Sequence, residues 1–402
     1  MVHPLDGVVD EVLVSVFRKP HSYTGEDTVE ISCHGSYYVS RKILETVIGA
    51  GARMADPGEF TQRAFLNGKM DLMQAEAVAD LIHSKTALAH RASIEQLSGR
   101  LSTAINDLRK KLIDLCSLLE LELDFAEEGI GLADHKKTNS FFDEAITELE
   151  NLIQSYDYGK LIREGVKVVL AGSPNVGKSS LLNVLLQENR AIVSEIPGTT
   201  RDIIEEAVLI DGIVFRLVDT AGLRITTDTV EQEGVRRSND QISSADLILL
   251  LVDSSIPLGS ALDSVLGFLK EYGNKIVLVL NKTDIKSPKF EYQRLREFDS
   301  LAISCITKQG IGDLTKRLVH IVLGGFDSYS SSITIQSERH QCLLKLTQEN
   351  LISASSAFKI GLGNELVAID LRGALNCLGE IIGLTTPDDI LNNIFSRFCV
   401  GK

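Results

Sequence analysis

Gly172-Ser173-Pro174-Asn175-Val176-Gly177-Lys178-Ser179 has the spacing G-x-x-x-x-G-K-S, with Ser180 directly behind it. The apolar run Val166-Lys167-Val168-Val169-Leu170-Ala171 precedes it, and the helical pattern Ser180-Leu181-Leu182-Asn183-Val184-Leu185 follows. Strand, glycine-rich turn and helix start, in that order, make a phosphate-binding loop. The glycines let backbone N–H groups turn inward around phosphate oxygens, and the helix N-terminus adds partial positive charge. Lys178 can reach the β- and γ-phosphates, and the Ser179 hydroxyl can ligate Mg²⁺. A βα turn without a ligand is the bland alternative, and motif plus context weigh strongly against it.

Downstream motifs select the nucleotide. Asn281-Lys282-Thr283-Asp284 follows the apolar run Ile276-Val277-Leu278-Val279-Leu280. A carboxylate at the end of N-K-x-D can accept both guanine N1–H and the exocyclic amine; adenine offers no such donor pair. Ser304-Cys305, after Leu301-Ala302-Ile303, suits a backbone clip on guanine O6. Asp219-Thr220-Ala221-Gly222, after Val214-Phe215-Arg216-Leu217-Val218, puts a carboxylate on the Mg²⁺ side and a γ-phosphate-sensing glycine at a strand end. Gly198-Thr199-Thr200-Arg201-Asp202 supplies a switch threonine, and Ser179 and Thr200 would hold Mg²⁺. Alone, each short motif also reads as a solvated turn. Five in this order and in these strand contexts predict a GTP hydrolase on a parallel sheet flanked by helices.

With 402 residues, two to four domains are expected. Hydrophobic residues make up 44% of the chain, enough for substantial cores. No apolar run approaches membrane-spanning length. Met1-Val2-His3-Pro4-Leu5-Asp6-Gly7 has neither a basic nor an apolar leader region, so no signal peptide is expected and the localisation expected is cytoplasmic. Six cysteines lie scattered without C-x-x-C or metal-ligand spacing, which favours reduced thiols and argues against zinc. A net charge of −14 is unlike a stand-alone nonspecific nucleic-acid binder. The clusters Arg109-Lys110-Lys111, His135-Lys136-Lys137, Arg236-Arg237 and Lys316-Arg317 read first as solvated helix faces, and RNA contact would be helped by a basic partner.

Four segments follow. Residues 1–67 mix short β-rich runs (Val12 to Phe17, Val29 to Ser32) with a loop at Asp56-Pro57-Gly58-Glu59-Phe60, as in a small α+β domain. Residues 68–163 are helical; Leu101, Ile105, Leu108, Leu112, Leu115 and Leu119 form a heptad-like stripe that must pack against another helix. Residues 164–326 alternate strand and helix. Residues 327–402 return to helix after the Ser-rich stretch Ser328 to Ser332, with helical patterns from Cys342 to Ala357 and from Glu365 to Ile382. The expected architecture is a P-loop GTPase domain inserted in a helical domain whose two halves pack together, with a small α+β N-terminal domain.

The flanking sequence is the more specific part. It contains Ser22-Tyr23-Thr24-Gly25-Glu26-Asp27, His34-Gly35, Pro57-Gly58-Glu59-Phe60 and Arg63-Ala64-Phe65-Leu66-Asn67-Gly68-Lys69. It continues with Gln74-Ala75-Glu76-Ala77 and ends in Cys399-Val400-Gly401-Lys402. Together these closely resemble the MnmE/TrmE family of tRNA uridine-modification GTPases, over essentially the whole chain. The resemblance implies a homodimer that works with a flavin-dependent partner of the MnmG/GidA family. Together they place an aminomethyl or carboxymethylaminomethyl group on position 5 of the tRNA wobble uridine. The carbon would come from a 5-formyl- or methylene-tetrahydrofolate. By family pattern Glu30, Lys69 and Lys402 serve the folate; read bottom-up, Glu30 is a strand-face carboxylate and Lys69 a solvated lysine. The family also carries an earlier strand–loop–helix segment with an arginine near the folate, and this chain starts after it, so weak folate binding is expected.

Leu223 stands where many GTPases place a water-orienting glutamine. The resemblance assigns that role to Glu231, acting through a bridging water; the alternative is one surface charge within Glu231-Gln232-Glu233. It also implies a K⁺ ion beside the phosphates, held by Asn175, the Ser194 and Ile196 carbonyls and Thr199, doing the electrostatic work of an arginine finger. The loop Ser194-Glu195-Ile196-Pro197-Gly198 would order as two GTPase domains meet. Cys399 reads either as a reactive thiol, its pKa lowered by Lys402, or as a small buried apolar residue. A ribosome-assembly RNA-binding GTPase of the Der or Era type shares the GTPase motifs and is the competing reading. Those proteins add a second GTPase domain or a KH domain, and neither is evident here.

Overall fold

Leu247–Asp253 is buried at every position, as a strand covered on both faces must be. In the computed structural model the described residues are 1–3, 7–124, 135–189, 205–219, 240–259, 261–285, 287–295, 297–324, 334–396 and 398–401. The chain divides into two units. One comprises Met1–Ser84, His90–Tyr156 and Ser337–Lys402, the other Lys85–Ala89 and Asp157–Gln336.

The second unit holds a six-stranded sheet of β1 Val166–Ala171, β2 Glu205–Ile210, β3 Ile213–Asp219, β4 Leu247–Asp253, β5 Ile276–Asn281 and β6 Ser300–Ala302. The spatial order is β6-β5-β4-β1-β3-β2. All pairs are parallel except β2 with β3, which are joined through Asp211-Gly212. Side chains alternate between two apolar layers. Val168, Leu170, Leu217, Leu249, Leu251, Val277 and Val279 face helices Lys178–Asn189 and Ile311–Leu323 through Leu181, Leu185, Leu314 and Leu318. Val169, Val218, Ile248, Leu250 and Leu278 face the other way, toward Leu262 and Leu269 of helix Ala261–Tyr272. Each fully buried aliphatic side chain contributes roughly 1.5–3 kcal/mol. The parallel strands deliver their carboxyl ends, and the loops that follow, to one edge of the sheet. The segments entering and leaving this unit lie against each other. Arg163 Nη1 donates to the Gln336 carbonyl at 3.3 Å, and a Cβ on Gly159 would sit 2.0 Å from the Ile335 carbonyl oxygen.

In the first unit, strand Leu13–Phe17 pairs antiparallel with Thr28–Ser32, and helix Tyr37–Gly49 follows. The stretch expected as a loop at 56–60 is one only as far as Gly58. Gly58 has φ 70° and caps helix Glu59–Leu66, so Glu59 and Phe60 are helical; an acidic first residue suits the helix dipole. Helix Leu72–His83 opens with a reciprocal cap between Asp71 and Gln74. The leucine stripe of helix Arg100–Asp124 is buried along its length, from Leu101 to Leu119, and packs against Asn364–Ile382. Helix Glu338–Lys359 packs against both Asn364–Ile382 and His135–Gln154. Sequence halves lying on either side of the second unit therefore form one helical core. Leu72, Ala75, Phe395 and Phe398 form a further buried cluster, with Phe65 packed against it.

Candidate functional site

The phosphate loop begins where β1 ends. Gly172 has φ 137° and Gly177 φ 102°; a Cβ at the first would lie 2.4 Å from the Leu251 carbonyl oxygen, and at the second 2.2 Å from Asn281 Nδ2. Asn175 also takes a left-handed conformation, φ 66°. Such strain on a residue with a Cβ concentrates at functional sites. The loop thus packs directly against the neighbouring strand ends, and helix Lys178–Asn189 starts from it. Lys178 Nζ donates to the carbonyls of Gly172 at 2.7 Å and Ser173 at 3.0 Å. Its third N–H can turn to a phosphate oxygen. Burial pulls the Lys178 pKa below the ordinary lysine value, and the nearby Asp219 carboxylate opposes that shift.

Ser179 Oγ donates to Asp219 Oδ2 at 2.9 Å. A hydroxyl and a carboxylate side by side next to a phosphate loop are hard oxygen donors, and the pair fits Mg²⁺. Val176 and Ser180 complete the described loop and first turn; Val176 is buried, and its carbonyl accepts Asn281 Nδ2 at 2.8 Å.

That bond ties the phosphate loop to the segment Asn281-Lys282-Thr283-Asp284, expected above to read the base. Asn281 Oδ1 accepts Cys305 N at 3.3 Å, so one amide side chain bridges two loops. Thr283 N and Oγ1 both donate to the Ile303 carbonyl, at 3.2 and 2.9 Å. The buried Ser304 hydroxyl donates to Asp284 Oδ1 at 2.6 Å and accepts Thr307 N at 3.1 Å, which orients the carboxylate that would read guanine. Burial pushes the Cys305 thiol pKa up and keeps it protonated. Lys282, at φ 63°, donates from Nζ to Asp253 Oδ2 at 2.6 Å. Asp253 was not singled out above. The available signal was a carboxylate closing an otherwise all-apolar strand, Leu247 to Val252.

The remaining expected residues divide three ways. Ser194, Glu195, Ile196, Pro197, Gly198, Thr199, Thr200, Thr220, Ala221, Gly222, Glu231 and Lys402 lie outside the described residues. Glu30 is exposed on strand Thr28–Ser32, and Lys69 is exposed between two helices, its Nζ donating to the Pro20 carbonyl at 3.0 Å. Cys399 is exposed, which overturns its reading as a buried apolar residue; the neighbouring Phe398 takes that place. The tail is held instead through its backbone. Gly58 N donates to the Cys399 carbonyl at 3.4 Å, and Val400 bridges to Pro57. Among the described residues, no helix is long and apolar enough to cross a membrane.

Two family models match the chain: the MnmE helical domain over residues 72–399 and the GTP-binding protein TrmE N-terminus over residues 1–69. A tRNA modification GTPase MnmE of Geotalea uraniireducens is 43% identical over 395 residues, covering 98% of this chain and 86% of that protein. The same-named protein of Salinibacter ruber is 43% identical over 400 residues, covering 98% and 87%. Among solved structures, the G domain of the T. maritima FeoB iron transporter is 27% identical over 39% of this chain and 98% of its own, with a TM-score of 0.29.

Proposed function

The chain belongs to the MnmE/TrmE family, and on that premise we propose that it is a GTP hydrolase acting in the modification of the tRNA wobble uridine. The observation that carries the reading is Asn281, which joins the phosphate loop through Val176 to the segment holding Asp284 and Cys305. One rigid unit then grips both ends of a nucleotide. Backbone N–H groups from Asn175 to Ser179 surround the phosphates, Lys178 neutralises them, and Asp284 reads guanine. Ser179 and Asp219 would hold Mg²⁺, which supplies charge neutralisation at the β- and γ-phosphates. The Der/Era alternative is not favoured, because the matches to MnmE relatives run through the flanking segments as well as the GTPase domain.

The finer assignments extend the same reading. Thr200 joins the Mg²⁺ site. Asn175, with Ser194, Ile196 and Thr199, holds K⁺ beside the β–γ bridge. Glu231 orients water where Leu223 cannot. The chain acts in the cytoplasm as a homodimer with a flavin-dependent MnmG/GidA-type partner. An aminomethyl or carboxymethylaminomethyl group would be installed with a tetrahydrofolate-derived carbon, the folate itself held only weakly near Glu30, Lys69 and Lys402. The domain limits proposed are 1–67, 68–163, 164–326 and 327–402.

Exchange of one atom tests the nucleotide assignment. Asp284→Asn removes the acceptor pair for guanine N1–H and the 2-amine, while its new amide suits the O2 of xanthine. GTP affinity should fall on the order of 10²-fold, since hydrogen bonds to a charged group contribute about 1.5–3 kcal/mol each. XTP should become the better substrate. Unaltered preference for GTP would show that Asp284 does not read the base.

A further inference from the structure

Asp253 closes β4 at the edge where the base-reading segment begins. Its Oδ2 accepts Lys282 Nζ at 2.6 Å, while its Oδ1 accepts Ser255 N at 2.9 Å and Ser255 Oγ at 2.5 Å. Next to it, Ser254 N and Oγ both donate to the Asn281 carbonyl, at 3.0 and 2.7 Å. Residues 253–255 therefore clamp Asn281 by its backbone and Lys282 by its side chain. Burial raises the Asp253 pKa, but the bonds from Lys282 and Ser255 outweigh it and hold the carboxyl below the ordinary aspartate value.

The clamp acts on a strained residue. Lys282 sits at φ 63°, a region that costs a side chain with a Cβ roughly 1–2 kcal/mol. It is flanked by Asn281, fixed to Val176, and by Thr283, fixed to Ile303. Relaxing φ at Lys282 would turn the chain that follows and carry Asp284 away from its bond to Ser304. Asp253 is 9% exposed while the Lys282 side chain is 31% exposed, so their ion pair is partly shielded from screening.

We propose that Asp253 is a positioning residue for base selection: by pinning Lys282 in its left-handed conformation it sets the orientation in which Asp284 engages both guanine donors. This rests on the nucleotide assignment made above. In this role Asp253 acts through Lys282, to which it is bonded.

The test uses the full chain and two nucleotides, GDP and IDP. IDP lacks the 2-amino group, so the ratio of their dissociation constants isolates the second of the two Asp284 bonds. One charge-assisted bond corresponds to a wild-type ratio of about 10–100. In Asp253→Ala the ratio should fall severalfold, toward one. Asp253→Asn, which keeps the shape, should give the same direction if the alanine variant folds poorly. General loosening of the sheet would weaken both nucleotides equally and leave the ratio fixed. Lys282→Gly removes both strain and ammonium, and in that background Asp253→Ala should add little. An unchanged ratio in Asp253→Ala and Asp253→Asn, or fully additive effects with Lys282→Gly, overturns the inference while leaving the GTPase reading intact. Failure of the wild-type chain to bind GDP overturns both.

Discussion

Replacing Glu76 by glutamine should weaken the helical unit by about 3 kcal/mol at neutral pH. The Glu76 carboxylate accepts Arg339 Nε and Nη2, each at 3.1 Å, and faces His340 Nε2 at 2.7 Å. Arg339 also donates to the carbonyls of Glu380 and Ile381, so three helices converge on one buried carboxylate. Burial alone would raise the Glu76 pKa, but the charge and hydrogen bond of His340, with those of Arg339, bring it from 4.5 to about 2. A fall of about 2.5 units, at about 1.36 kcal/mol per unit, gives the figure of ~3 kcal/mol. The folded-state value is depressed, so this stability is present in full above pH 4.5 and is lost as pH falls toward 2. By pH 3 the contribution should be down to ~1 kcal/mol. Glutamine leaves the Arg339 guanidinium facing an uncharged amide, and removing one partner of a buried pair commonly costs about 3–5 kcal/mol. Urea titration of the full chain, followed by far-UV circular dichroism at pH 7 and pH 3, reads the effect. Any transition that moves when GDP is added belongs to the nucleotide-binding unit and serves as an internal reference. A deficit below ~1 kcal/mol at pH 7, or one that does not shrink at pH 3, would refute the account of Glu76 as the ionised centre of this cluster.

Two further outcomes concern catalysis. GTP turnover should be faster in K⁺ than in Na⁺ at equal ionic strength, and Asn175→Ala should flatten the difference; a positioned charge near the transition state is commonly worth about 10²–10³-fold, and equal wild-type rates in both salts would count against the ion. Glu231→Ala should lower kcat while GTP affinity stays close to wild type, because ground-state contacts fall to Lys178, Ser179 and Asp284; a loss seen mainly in nucleotide binding would point to a folding defect instead.

Features with short sequence range were the legible ones. A strand covered on both faces must be an unbroken apolar run, so β1, β4 and β5 show themselves without any knowledge of their partners. The phosphate loop is read from glycines because a Cβ there meets Leu251 or Asn281, and Leu101 to Leu119 betray their burial through helical spacing. Glu59 was less visible: Pro57-Gly58 reads as a turn, and only the left-handed Gly58 reveals that the turn is a helix cap. Asp253 and Glu76 were not legible as functional or structural centres. Their importance comes from partners 29 and 263 residues away, and a carboxylate in a list of residues says nothing about which ammonium or guanidinium will meet it.

The split helical core has a consequence for how the chain matures. Glu120 meets Arg372 and Glu122 meets Asn364 across separations of 252 and 242 residues, with the whole Asp157–Gln336 segment synthesised in between. The leucine face of Arg100–Asp124 therefore leaves the ribosome long before the helix that covers it. At about 5–20 residues per second, some tens of seconds or less separate the two. During that interval the nucleotide-binding sheet, whose strands all lie between Val166 and Ala302, has every residue it needs to close. The inserted unit is then expected to fold first, and the older half of the helical core waits, exposed to chaperones and to aggregation, for its C-terminal complement.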